Sequence, residues 1–299
     1  MLFLSSILKA DKCEKPPRIS SGGFFLQTAG MRTDWRRIDM KQRIIDELKR
    51  IEQSYGVKIV YAVESGSRAW GFPSQDSDYD VRFIYVPKKE WYFSIEQERD
   101  VIEEPIHDLL DISGWELRKT LRLFKKSNPP LLEWLSSDIV YYEAFTTAEQ
   151  LRKLRTEAFK PEANVYHYIN MARRNVKDYL QGQEVKIKKY FYVLRPILAC
   201  QWIEKHGTIP PMDFTVLMNE LVREPELKAE METLLERKRR GEELDLEARI
   251  DVIHQFIETE IERIMEAAKE LKAEKKDMTP ELNRLLLNTV EEVWKDGGS

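Results

Sequence analysis

Val57-Lys58-Ile59-Val60-Tyr61-Ala62-Val63-Glu64, then Ser65-Gly66-Ser67-Arg68-Ala69-Trp70-Gly71-Phe72, then Asp76-Ser77-Asp78-Tyr79-Asp80-Val81-Arg82-Phe83-Ile84-Tyr85-Val86, is the stretch on which the reading of this chain turns. Two apolar runs rich in β-branched and aromatic residues flank a Gly/Ser turn and a short polar insert, the pattern of two strands joined through a turn. Successive side chains of a strand point to opposite faces, so Asp78 and Asp80 project together while Tyr79 and Val81 project the other way. Two carboxylates on one face repel unless a cation stands between them. Hard oxygen ligands suit Mg²⁺ or Mn²⁺, which keep some waters and complete their shell from substrate phosphate. The Gly66-Ser67 turn adds backbone N–H groups, a glycine that permits close approach and a hydroxyl donor for phosphate oxygens.

Gly-Ser, ten residues, then Asp-x-Asp between two strands resembles the signature of the DNA polymerase β-like nucleotidyltransferase superfamily. Within it the chain resembles the YcgL-type predicted nucleotidyltransferases, which include an RNA-repair-associated group. The resemblance runs from about Lys41 to near the C-terminus. It is carried by Gly66-Ser67-Arg68-Ala69-Trp70-Gly71, Ser77-Asp78-Tyr79-Asp80-Val81-Arg82, Leu110-Asp111-Ile112-Ser113-Gly114-Trp115, Ser127-Asn128-Pro129-Pro130 and Lys188-Lys189-Tyr190-Phe191-Tyr192. It implies transfer of a nucleoside monophosphate from an NTP to an acceptor, with pyrophosphate released and two metal ions clamping the attacking and leaving oxygens. Asp78 and Asp80 would bridge the metals, and a third carboxylate would bind the catalytic metal and help to activate the acceptor hydroxyl. Asp111 is favoured for that role, because it stands before Ser113-Gly114-Trp115-Glu116, which reads as a helix capping box closing a strand. Asp108 is the alternative.

Arg68 can either steer phosphate through charge-assisted hydrogen bonds or pair with a nearby aspartate. Trp70 and Trp115 read as core residues, and His107 and His167 as structural. Between Arg173 and Arg195 seven basic residues face two acidic ones, interleaved with Tyr179, Tyr190, Phe191 and Tyr192. Such a mixture suits triphosphate or single-stranded nucleic acid, with cations on the backbone and rings under bases. Lys186, Lys189 and Arg195 are the nucleotide-binding candidates here, Lys189 first.

Composition limits the alternatives. With 299 residues and 42% hydrophobic content the chain can bury one large core or two modest ones. Its 48 basic and 52 acidic residues, a net charge of −4, argue against a surface coated for duplex nucleic acid. The two cysteines, Cys13 and Cys200, have no metal-ligand spacing and fit a reducing, cytoplasmic compartment without disulfides. No run reaches the roughly 18 apolar residues that a bilayer span needs. The opening Met1-Leu2-Phe3-Leu4 lacks the basic flank of a signal peptide, and residues 1–38 read as a poorly structured extension, with Met31 and Met40 as alternative starts.

From Met40 to Tyr55 the spacing of Ile44, Ile45, Leu48 and Ile51 predicts a helix ending at Gly56. A second helix is expected from Trp115 to about Lys126, and a short one after Asn128-Pro129-Pro130. Beyond that the pattern is helical over 147–157, 162–182, 185–206, 212–222, 226–240, 246–274 and 280–295. The expected fold is α+β: a small mixed-sheet nucleotidyltransferase lobe with flanking helices over 39–143, then an all-α lobe over 144–299. The expected activity is metal-dependent nucleotidyl transfer from an NTP to an RNA end. A protein or small-molecule acceptor, or an NTP- or RNA-binding module without turnover, are the other classes. The acceptor half of the site is not legible in linear spacing, and neither is oligomeric state.

Overall fold

The computed structural model describes residues 29–96, 98–242, 244–271 and 276–295. The described residues from Lys41 onward form one compact unit. Helix α1 (Ala29–Tyr55) buries Ile44, Leu48 and Ile51 and starts earlier than the apolar spacing indicates. Residues 1–28 of the expected extension, Cys13 among them, lie outside the described residues. Strand β1 (Val57–Glu64) follows, then the four-residue helix α2 (Gly66–Ala69) at the Gly-Ser turn, then β2 (Tyr79–Pro87), antiparallel to β1 with Glu64 opposite Val81. Val60, Tyr61, Ala62 and Val63 are all buried, as in a strand covered on both faces.

Two edge strands escaped the sequence reading because each is too short to show a period. They are β3 (Val101–Glu103), antiparallel to β4 (Leu110–Glu116), and β5 (Val140–Glu143), antiparallel to β1. β4 runs parallel to β2, so the sheet is mixed, in the order β3-β4-β2-β1-β5.

The helix expected at Trp115 begins later, as α3 (Leu117–Lys125), because Ser113, Gly114 and Trp115 continue the ladder opposite Arg82, Phe83 and Ile84. Gly114 permits this: a Cβ there would stand 2.2 Å from the Phe83 ring. The cap is Glu116, whose carboxylate accepts the N–H groups of Arg118 at 2.7 Å and Lys119 at 2.9 Å, and not Ser113. Asp111 is therefore near the start of its strand rather than at its end. α4 (Pro129–Trp134) follows the sequence reading, with Asn128 accepting the Leu131 N–H at 3.1 Å and proline in the first turn.

The remaining elements are α5 (Thr147–Ala158), α6 (Pro161–Tyr179), β6 (Glu184–Lys186), α7 (Phe191–His206), α8 (Phe214–Leu221), α9 (Pro225–Arg239), β7 (Leu246–Ala248), α10 (Asp251–Ala268) and α11 (Thr279–Val293). Two helices expected from 185 and 246 instead open with β6 and β7, which pair antiparallel with Val185 opposite Glu247. That partnership spans some sixty residues and leaves no local trace.

Two cores divide the packing. One joins β1, β2, α3, α4 and α5, and α11 returns to it; the rings of Trp115 and Trp134 lie 4.0 Å apart within it, and Trp294 donates its indole N–H to Pro87 at 2.9 Å. The other joins α6 to α10 and receives Trp70 and Phe72 from the segment after α2. Both tryptophans singled out in the sequence are thus core residues. The architecture is α+β, and its sheet and helical parts interlock through Trp70 and Phe72 on one side and α11 on the other. No helix among the described residues is long and apolar enough to cross a membrane.

Candidate active site

The parallel pairing of β2 with β4 decides which acidic residues meet. Asp80 stands opposite Asp111 in register, and the Arg82 guanidinium bridges them, at 3.1 Å from Asp80 and 3.0 Å from Asp111. Asp78 belongs to the same group electrostatically. Burial, and then the charge of Asp111, raises its carboxyl above the ordinary range, with Arg68 opposing. Burial likewise raises Asp80; Arg82 opposes this, while Asp111 and Asp78 add to it. Asp108 lies elsewhere, on an exposed turn with φ of 48°, paired to Arg43 at 3.1 Å.

Gly66 makes room for this group. Its φ of 59° is left-handed, and a Cβ would stand 1.9 Å from the Asp80 Oδ2, so the Gly-Ser turn lies directly against the carboxylate. Ser67 is buried, and its carbonyl accepts the Phe72 N–H at 3.1 Å. Arg68 faces backbone rather than aspartate side chains. It donates to the carbonyls of Ser77 at 2.7 Å and Asp78 at 3.0 Å, and its guanidinium lies 3.7 Å above the Tyr79 ring. Arg68 thus clamps the loop that delivers Asp78.

Glu64, at the end of β1, was not singled out in the sequence. It is fully buried, accepts the Asp80 N–H at 2.8 Å and receives the Tyr141 hydroxyl. Burial pushes its carboxyl up to about 7, against the lowering effect of those two hydrogen bonds. Its signal was present, since an acidic residue closes an otherwise apolar strand just before the glycine turn.

The helical part reaches the same place through Tyr192. Burial, with the charges of Asp80 and Asp78 beside it, pushes this phenol up to about 12. The Lys189 ammonium lies 5.0 Å from the Tyr192 ring centre and 4.4 Å from that of Tyr179, and Lys186 lies 5.9 Å from Tyr179. Arg195 is placed differently. It is 0% exposed, bonds Glu133 at 2.8 Å and lies 4.5 Å from the Trp70 ring centre. Its charge is used inside the core, and the nucleotide contact expected of it does not fit that placement. His107 is exposed beside the Asp108 turn, and His167 is lowered by burial.

Among the described residues no group of three or more His, Cys, Asp or Glu is disposed to hold a metal ion. The donor chemistry nevertheless fits a hard cation: the charge of Asp111 adds to burial in raising the proton affinity of Asp78 and Asp80, and Arg82 supplies a single positive charge between Asp80 and Asp111.

A mixed sheet with Asp-x-Asp at the entry to one strand, a third aspartate in register on the next and a glycine turn packed against Asp80 defines a polymerase β-like nucleotidyltransferase. The chain belongs to the family described as "RlaP: RNA repair pathway DNA polymerase beta family", which matches residues 40–288. It is 99% identical over 260 residues to the YcgL protein of Bacillus subtilis (strain 168), a match covering 87% of this chain and all of that one. A solved structure, a nucleotidyltransferase-like protein from Exiguobacterium sibiricum 255-15, matches at 13% identity with a TM-score of 0.27, covering 87% of this chain and 92% of that one.

Proposed function

We propose that this chain transfers a nucleoside monophosphate from an NTP to the hydroxyl of an RNA end. The acceptor oxygen bonds to the α-phosphorus, the α–β phosphoanhydride breaks, and pyrophosphate leaves. The observation that supports the reading is the register of Asp80 against Asp111, with Asp78 close by and Gly66 packed on Asp80. In this reading residues 39–143 form the catalytic part and 144–299 the helical part, in a cytoplasmic protein.

Asp78, Asp80 and Asp111 would hold two Mg²⁺ or Mn²⁺ ions. When bound, such ions supply charge neutralisation at the phosphates and a lowered pKa for the acceptor hydroxyl. The chain's own groups do the positioning. Arg82 holds Asp80 and Asp111 at a fixed spacing against their repulsion, and Arg68 holds the Ser77 and Asp78 carbonyls so that the Asp78 side chain stays in the group. The Gly66-Ser67 turn offers N–H groups to phosphate oxygens, and Lys186 and Lys189 face them from the helical part. Asp111 orients the acceptor hydroxyl. The family description and the basic, aromatic segment from Arg173 to Tyr192 support RNA as the acceptor.

The test is label transfer from each α-labelled NTP, with Mg²⁺ or Mn²⁺, into a mixed RNA and protein extract, comparing the intact chain with Asp80→Asn. Label in RNA that disappears in the variant, while its fold persists, is the expected result. Label in protein alone would replace the acceptor, and no label in any fraction would count against transfer to a macromolecule.

A further inference from the structure

The sheet breaks register beside the carboxylates. β5 pairs with β1 as Glu143 to Tyr61 and Tyr142 to Ala62, but Val63 then faces Val140, so Tyr141 is an extra residue on β5. A bulge of this kind re-aims a side chain, and bulges are over-represented next to active sites. Here the Tyr141 hydroxyl donates to one oxygen of the Glu64 carboxylate, and the other oxygen accepts the Asp80 N–H at 2.8 Å. The main chain of Glu64 is gripped from the same segment. Its N–H donates to the Ile139 carbonyl at 2.9 Å, and its carbonyl accepts the buried Ser137 hydroxyl at 2.8 Å.

The Asp80 N–H needs that carboxylate because the ladder stops there. Glu64 stands opposite Val81, and Ser65 donates its N–H to the Asp80 carbonyl at 2.8 Å. A continued antiparallel pair would return a bond from the Asp80 N–H to the Ser65 carbonyl. The chain instead turns into α2 at Gly66, and the Glu64 side chain supplies the acceptor. An apolar residue at 64 would leave this N–H without a partner, and the entry to β2 would have to shift to find one.

Such a shift would pass straight to the Asp80 carboxylate. Its Oδ2 fills the space where a Gly66 Cβ would stand, its Oδ1 accepts from Arg82 at 3.1 Å, and Asp111 is its partner in register. Misplacing a reacting group by about 1 Å costs on the order of a hundredfold in rate.

We infer that Tyr141 and Glu64 are positioning residues for Asp80: the β5 bulge sets Tyr141, Tyr141 sets the Glu64 carboxylate, and Glu64 holds the Asp80 peptide so that its carboxylate meets a divalent cation at the right spacing from Asp111. In this role neither residue touches substrate. The kinetic consequence rests on the nucleotidyl-transfer reading; the consequence for cation binding rests only on Asp78, Asp80 and Asp111 as ligands.

The experiment compares the full chain with Glu64→Met, which keeps the length of the side chain without its acceptors, Glu64→Gln, which can make both bonds, and Tyr141→Phe, which removes only the distal one. Mn²⁺ binding without nucleotide is read from the electron paramagnetic resonance signal of the free ion, and kcat and KM for NTP from label transfer, with circular dichroism to establish that each variant folds. Glu64→Met is expected to weaken Mn²⁺ binding about tenfold and to lower kcat about a hundredfold, with KM for NTP within about threefold of the wild type. Tyr141→Phe should act in the same direction with a loss of about tenfold in kcat, and glutamine should restore both readouts to within about threefold. If Glu64→Met does not fold, Tyr141→Phe and Glu64→Gln decide by themselves. Wild-type Mn²⁺ affinity and kcat in Tyr141→Phe, or a change in KM alone, would overturn the inference. So would a glutamine variant more impaired than Tyr141→Phe, since the Glu64 charge and not its hydrogen bonds would then be at work. A wild type that transfers no label, but whose variants lose Mn²⁺ affinity as expected, sinks the transfer reading and leaves the positioning role standing. Transfer that depends on Asp80, with the Glu64 and Tyr141 variants at wild-type level on both readouts, does the reverse. A wild type that binds no Mn²⁺ overturns the metal ligands and the positioning role together.

Discussion

Replacing Glu64 by glutamine should make the metal-free protein more stable at neutral pH and leave it nearly unchanged in acid. The carboxyl is fully buried, with one oxygen on the Asp80 N–H at 2.8 Å and the other on the Tyr141 hydroxyl. Glutamine keeps both contacts, since its carbonyl can accept from Asp80 and its amide can donate to the Tyr141 oxygen. What changes is charge. Burial raises the Glu64 carboxyl from 4.5 to about 7, so between those values the folded state retains a proton that the unfolded chain has released. The stability that this proton confers is complete below about pH 4.5, falls as pH rises and is gone above about 7. At about 1.4 kcal/mol per pH unit, the ionised wild type gives up about 3 kcal/mol across that window. Urea unfolding in EDTA at pH 5, 6, 7 and 8 should therefore give two curves that lie within about 1 kcal/mol at pH 5 and diverge to about 2–3 kcal/mol in favour of Glu64→Gln at pH 8. Asp78 and Asp80 are present in both proteins and also contribute a pH slope; Asp80, whose charge adds to the raising of Glu64, makes the ionised wild type still less stable relative to the glutamine variant. Parallel curves, or a glutamine variant less stable at pH 8, would refute the reasoning and mean that a neighbouring cation such as Arg68 balances the Glu64 charge.

Gly66→Ala should retain the fold, losing about 1 kcal/mol from the left-handed backbone, and lose transfer activity by about a hundredfold or more because the new methyl displaces the Asp80 carboxylate; circular dichroism and the label-transfer assay check both, and wild-type turnover would exclude Asp80 from the reaction. Glu133→Ala strips the fully buried Arg195 of its carboxylate and deprives the Tyr168 hydroxyl, at 2.7 Å, and the Trp70 indole, at 3.3 Å, of their acceptor. An uncompensated buried charge of this kind costs about 3–5 kcal/mol. A urea-unfolding loss below about 1 kcal/mol would mean that Arg195 finds water or another partner.

The motif stretch was legible because its signals are local: two apolar runs, a glycine turn between them and carboxylates two residues apart. Helix ends were legible where a cap lies in the sequence, as at Asn128 before α4. They were misread at Ser113, where the residues after the apparent cap are held in the ladder by Phe83 and its neighbours on β2. The basic, aromatic stretch illustrates a different limit. Composition singles out Lys186, Lys189 and Arg195 together, yet α7 turns Arg195 into the core toward Glu133, while Lys189 remains over Tyr179 and Tyr192. Glu64 stands outside the motif strings; its place at the end of an apolar strand hints at it, and its burial in the fold marks it.

The sequence by itself determined the β1-turn-β2 unit, the spacing of Asp78 and Asp80 at the entry to β2, the helical character of the second half and the family to which they point, because periodicity, turn chemistry and motif spacing act within a dozen residues. The tertiary structure alone decided that β4 runs parallel to β2 and so sets Asp111, not Asp108, beside Asp80, that α11 returns to the sheet, and that Glu64 and Tyr192 gather around the carboxylates. Those arrangements arise from hydrogen-bond register and burial between segments far apart in the chain, and no local pattern of residues encodes a partner at that distance.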